Sequence, residues 1–162
     1  MGHSPLPAQT PDGDFPFPLD PLMLLNRFQA WEYALFALAI WREARGEPHV
    51  GKVGVAWSIK NRVMTPHAWW GSDYEQVILK PWQYSSFNAN DPNAVKFPGE
   101  PAADPSWADC MEVAEDVYTE TIPDPTGGST HYCVATMNPM PEWTKTAQFK
   151  VQLGNQNFYK AA

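Results

Sequence analysis

The chain is poor in cysteine, in cations and in long apolar runs, and each shortage excludes something. Only two cysteines, Cys110 and Cys133, occur in 162 residues. They allow one disulfide at most and form neither a CxxC pair nor a Cys/His zinc spacing, so the redox compartment stays open. The four histidines, His3, His49, His67 and His131, show no HExxH spacing. That pattern argues against a zinc-peptidase site, and no metal or other cofactor is expected. Eleven Lys+Arg against eighteen Asp+Glu leave a net charge of −7. That balance is wrong for a surface that tracks phosphates, so no nucleic-acid partner is expected. The longest apolar stretch, Ala34 to Trp41, falls far short of the roughly 18 residues needed to span a bilayer, and no membrane insertion is expected. The first twenty residues hold neither a cation nor a long apolar run, unlike a secretory signal, and the expectation is synthesis in the cytoplasm.

What is present is enough for one folded unit. Hydrophobic residues make up 44% of the chain and aromatic residues 14%, which supplies a core and flat rings suited either to that core or to sugars. Residues 1–21 carry Pro5, Pro7, Pro11, Pro16, Pro18 and Pro21, a spacing that blocks both helix and central strand. Residues 1–27 are therefore read as an extended arm and 28–162 as the domain. An amphipathic helix is predicted from Phe28 to Arg45, with Trp31, Leu35, Leu38, Ala39 and Arg42 at its periodic positions, and a second from His49 or Val50 to about Val63 with one apolar side. Ser72 and Glu75 have capping-box spacing for a short helix that ends near Leu79. Residues 82–101 have no period and read as a long loop. Asp104-Pro105 opens a third main helix with Trp107, Cys110, Met111, Ala114, Val117 and Tyr118 on its apolar side. Asp124 to Gly128 is a turn, Ser129 to Ala135 alternates as a strand does, and Phe149 to Tyr159 reads as a hairpin about Gly154-Asn155. Helices first and a small antiparallel sheet last is an α+β order.

Glu43 is the candidate acid. Ile40, Ala39, Phe36 and Leu35 lie three, four, seven and eight residues before it, so its carboxylate extends an apolar stripe. It also sits in the last turn of its helix, where the macrodipole opposes negative charge. Both effects favour the protonated form that a general acid needs. The competing reading, a helix-end ion pair with Arg42 or Arg45, is equally open. Glu47 follows after Gly46, and spacing does not settle whether the two acids face each other. Glu75 and Asp104 are accounted for by helix caps. Good second carboxylates are thus scarce, whereas ordinary glycosidases work with two.

The run Ala39-Ile40-Trp41-Arg42-Glu43-Ala44-Arg45-Gly46-Glu47-Pro48, followed by Gly51 to Ala56 and Asn61-Arg62-Val63, resembles the signature of the spore cortex-lytic, cell wall hydrolase family. Trp82 to Phe87, Asp124 to Ser129 and Gly154 to Tyr159 continue the resemblance, which covers roughly residues 30–160. In the last of these segments Gln156 stands where the family has a histidine, leaving any such role to be lost or moved to His131. The resemblance implies a mainly helical lysozyme-like domain that cuts the glycan strands of peptidoglycan as a monomer, with Glu43 as the catalytic acid of a lytic transglycosylase. Glu47, Gln83, Ser85, Thr126 and Tyr132 are the candidate substrate-binding residues; turn and sheet hydrogen bonding is an equal alternative for Gln83, Ser85, Thr126 and Tyr132. Trp69, Trp70 and Trp82 are stacking candidates, with core packing the alternative for each. A water-using muramidase, an amidase and a catalytically silent wall-binding or virion module remain as alternatives. A start unlike an export signal suggests a phage endolysin or a wall-cutting part of a virion, and fits a bacterial lysin without its leader equally well.

Overall fold

The computed structural model describes residues 25–161, so the reading of 1–27 as an extended arm lies almost wholly outside the described residues. Four helices precede a three-stranded antiparallel sheet: α1 (Arg27–Ala44), α2 (His49–Met64), α3 (Tyr74–Leu79), α4 (Pro105–Tyr118), β1 (His131–Val134), β2 (Gln148–Leu153) and β3 (Gln156–Lys160). The α+β order is as expected. Short 3-10 turns at Ser85–Phe87 and Glu142–Lys145, neither of them foreseen, interrupt the two long connections.

Helix α1 starts where the Asn26 side chain accepts hydrogen bonds from the Phe28 and Gln29 amides while Gln29 Oε1 accepts one from the Asn26 amide, a reciprocal cap. Its first turn is exposed, and its C-terminal half, from Leu35 onward, is buried except for the half-buried Leu38 and Glu43. The predicted cap of α3 is corrected by one residue. Asp73, not Ser72, accepts from the Gln76 amide and side chain, because the aspartate's second oxygen holds Gln76 as well. Glu75 instead accepts from the Trp31 indole at 3.0 Å. Asp104 caps α4 as expected.

Helix α2 differs most from expectation. A single apolar side was predicted, yet every residue from Gly51 to Arg62 is buried. Its neighbours explain this, since α1, α3, α4 and all three strands pack around it. The polar residues on the helix are consequently ties. Lys52 binds Asp109 of α4, Lys60 donates to the Val117 carbonyl at 2.7 Å, Asn61 donates to the Ser129 carbonyl at 3.0 Å, and Arg62 donates to the Thr130 carbonyl at 2.6 Å. Close approach of the sheet needs Gly54: a Cβ there would lie 2.5 Å from Phe158 Cζ. In the sheet β3 is central, between β1 and β2. The β2–β3 hairpin turns at Gly154, whose φ of +59° is left-handed and favours glycine. Cys110 and Cys133 are both free and buried.

Candidate active site

Three elements converge on one carboxylate. Glu43, near the end of α1, shares a face with Leu35, Phe36, Ala39 and Ile40, all buried. Its Oε1 accepts a hydrogen bond from the Ser86 hydroxyl and its Oε2 one from the Tyr132 hydroxyl at 3.0 Å. Ser86 is buried in the 3-10 turn after α3, and Tyr132 lies on β1. Burial, with the neighbouring Glu43 charge and Tyr84 next, holds the Tyr132 phenol well above its ordinary pKa. It therefore stays protonated and donates.

The loop carrying Ser86 is fastened by the residue beside Glu43. The Arg42 guanidinium is buried and donates to the carbonyls of Ala94 at 2.9 Å, Lys96 at 3.1 Å and Ser86 at 3.3 Å. It also lies over the Phe87 and Phe97 rings, 4.6 and 5.1 Å from their centroids. Arg45 donates to Asn93 Oδ1 at 2.9 Å. Neither arginine forms an ion pair with Glu43 among the described residues, which closes that reading of the helix end.

Glu43 opens onto a cavity of about 360 Å3, lined also by Arg62, Gln83, Tyr84, Ser85 and Tyr132, with Trp82, His131 and Trp143 completing its walls. Gln83 accepts from Arg62 through Oε1, and Ser85 hydrogen-bonds Asp91 through its side chain. His131 is driven down to about 4 by burial and by the Arg62 charge, so its imidazole is neutral near pH 7. Trp82 is 79% exposed, with φ at +69°, a strained conformation for a bulky residue that costs on the order of 1–3 kcal/mol.

Of the other candidates, Trp69 is exposed, while Trp70 is buried and donates to the Arg62 and Thr65 carbonyls, both at 3.1 Å. Thr126 and Glu47 lie elsewhere. Thr126 is fully buried inside the Asp124 turn and donates to Asp124 Oδ1 at 2.6 Å. Glu47 accepts from the Asn155 amide at 2.8 Å and from Gln156 Nε2 at 3.4 Å, binding the α1–α2 turn to the hairpin. Arg62, Ser86, Tyr84 and Trp143 were not singled out as site residues from sequence. Arg62 carried no usable signal, because the spacing predicts only one apolar side for α2 and the burial of the whole helix comes from its neighbours. An aperiodic loop gave none for Ser86 over Ser85. Among the described residues no group of three or more His, Cys, Asp or Glu could hold a metal ion, and no helix is long and apolar enough to cross a membrane.

Known proteins resemble the chain at the level of family and fold. A family model described as Cell Wall Hydrolase matches residues 46–159. The chain is similar to the catalytic domain of the germination-specific lytic transglycosylase SleB from Bacillus anthracis, with 25% identity over 85% of this chain and 100% of that one and a TM-score of 0.65. It is also similar to the catalytic domain of the Bacillus cereus SleB protein, with 26% identity, 80% and 89% coverage and a TM-score of 0.62. No curated protein matches.

Proposed function

Because this chain belongs to the cell wall hydrolase family and is a peptidoglycan-degrading enzyme, we propose that it is a lytic transglycosylase acting on the bond between N-acetylmuramic acid and N-acetylglucosamine, with Glu43 as its acid and then its base. The observation that carries this reading is the solitary carboxylate: among the described residues Glu43 is the one acid lining the cavity. A paired-carboxylate glycosidase needs a second, at about 5–5.5 Å for retention or 6.5–9.5 Å for inversion. A reaction in which the sugar supplies its own nucleophile needs one. The likeness to SleB catalytic domains, one titled a lytic transglycosylase, supports the same choice.

In the proposed sequence protonated Glu43 gives its proton to the oxygen leaving C1 of the muramyl residue. The Ser86 and Tyr132 hydroxyls then stabilise the carboxylate that results, because both donate to its oxygens. That carboxylate takes the proton from the same sugar's C6 hydroxyl as its oxygen closes on C1, forming the 1,6-anhydro ring. Gln83, Ser85 and Tyr132 are positioned for polar contacts with the sugar and exposed Trp82 for stacking. The chain acts as a monomer on glycan strands.

Mass spectrometry of fragments released from purified peptidoglycan tests this. Anhydro-muramyl fragments, one water lighter than hydrolytic products and absent with Glu43→Gln, are expected. Reducing-end muramyl sugars would establish a muramidase instead, freed stem peptides an amidase, and no release by the unmodified chain a binding module.

A further inference from the structure

Arg62 is a buried cation with no counter-charge within ion-pair distance among the described residues. Its side chain reaches the cavity from α2 while the residue is only 5% exposed. A guanidinium has five N–H donors. Nε donates to the Thr130 carbonyl at 2.6 Å and Nη1 to Gln83 Oε1. Nη2 has no acceptor among the described residues, and no carboxylate there lies within ion-pair distance. The planar group is held over the Trp70 ring at 5.6 Å and the Tyr84 ring at 5.3 Å, so its direction is fixed before any ligand arrives. A second orphan adjoins it: the Tyr84 hydroxyl is buried with no hydrogen-bond partner among the described residues, and Tyr84 also lines the cavity.

An unpaired buried charge is costly, and a neutral carbonyl would fill the open N–H groups without balancing it. A carboxylate does both, and its two oxygens match the guanidinium fork. On a peptidoglycan glycan strand the ring-borne acid is the lactyl ether on C3 of the muramyl residue. That is the sugar whose C1–oxygen bond breaks with Glu43 as the acid under the proposed function, on which this inference rests, and Glu43 and Arg62 line one cavity.

We propose that the Arg62 guanidinium anchors the lactyl carboxylate of a muramyl residue, so that the site selects glycan whose lactyl group is free over glycan whose lactyl group is amide-linked to a peptide stem. Selection then rests on charge, since an amide keeps the shape and loses the anion. Arg62 acts as a specificity-determining residue, with Gln83 holding its fork.

The test compares three forms of a muramyl-containing tetrasaccharide: free lactyl carboxylates, their methylamides, and lactyl groups carrying L-Ala-D-Glu stems. Binding to Glu43→Gln is followed by tryptophan fluorescence, since Trp82 and Trp143 line the cavity. The free acid is expected to bind about tenfold or more tightly than either amide, the factor of a hydrogen bond to a charged group. The double variant Glu43→Gln/Arg62→Gln should lose that preference. Equal binding of acid and methylamide overturns the proposal. Tightest binding of the stem-bearing form overturns it too, by moving the recognised carboxylate to the peptide. A misfolded Arg62 variant leaves the three-ligand comparison on Glu43→Gln to decide. Selective binding without cleavage by the unmodified enzyme would refute the transglycosylase reading alone, and unselective cleavage would refute the anchor alone.

Discussion

Tyr132→Phe removes one oxygen from the site and little else. The ring keeps its place against Phe158, 5.8 Å away between centroids, and the β1–β3 pairing opposite Phe158 is a backbone matter. What disappears is the 3.0 Å hydrogen bond to Glu43 Oε2. If Glu43 donates its proton in the rate-limiting step, that bond strengthens as negative charge develops and so belongs to the transition state rather than to ground-state binding. A hydrogen bond to a charged partner contributes about 1.5–3 kcal/mol, which corresponds to a fall in kcat of about 10- to 150-fold. The Ser86 donor remains on the other oxygen, so the lower part of that range is expected. Release of soluble fragments from purified peptidoglycan over a range of substrate concentrations separates kcat from KM. The expected result is a kcat loss with KM within about twofold, the pattern of a group acting only on the transition state. Ser86→Ala should behave alike, and the double variant should cost less than the product of the two, since both donors serve one carboxylate. A Tyr132→Phe enzyme with unchanged kcat, or one affected in KM alone, would refute Glu43 as the group that gains charge in the slow step.

Other outcomes follow from the same contacts. Asp124 is partly buried, which opposes its charge, but hydrogen bonds from Thr126, Asn61 and Gly128 outweigh burial and hold its carboxyl below the ordinary value. Its contribution to stability is therefore present above about pH 4, the unfolded value, and is lost as pH falls through the lower folded value. Urea unfolding should show Asp124→Asn destabilised by about 2–4 kcal/mol at pH 7, with the gap narrowing towards pH 2; a constant gap would contradict the assignment. Gly54→Ala should cost about 1–3 kcal/mol by overpacking against Phe158, measured the same way, and a neutral result would show that the sheet can retreat from α2. Because the chain carries a net −7 and walls are largely anionic, lysis rates should rise with moderate salt or divalent cation, and a flat or falling response would remove that electrostatic account.

The sequence was most readable where a period was present. The stripe below Glu43 is visible at helical spacing, and Asp104-Pro105 announces α4 through the chemistry of the cap. A period is read against one partner, however, and α2 has partners on every side. The single apolar side predicted for it gives no reason to expect its cations inside, yet Lys52, Lys60 and Arg62 are ties to separate elements in the structure. The site is legible in the same uneven way. Glu43 and Tyr132 sit on regular elements, and the structure brings them to one hydrogen bond. Gln83 and Ser85 come from the loop and line the cavity, but Ser86, not Ser85, reaches Glu43, because a 3-10 turn decides which of two adjacent serines points inward. The Asp124 to Gly128 turn accounts for Thr126 through local side-chain to backbone bonds, and Glu47 is drawn to a hairpin more than one hundred residues away in the chain, a tertiary contact that spacing does not encode.

Arg42 has a further consequence for how the site moves. The side chain that grips the Ser86 loop is covalently next to the residue that needs the loop, so a tilt of α1 carries acid and loop together. Thermal breathing of the molecule should therefore leave the Glu43–Ser86 spacing almost unchanged while the separation between that unit and the β1 tyrosine fluctuates. Of the two hydroxyls on the acid, one travels with it and the other belongs to the opposite jaw. Glu43 itself spans the seam between the loop that α1 carries and the sheet.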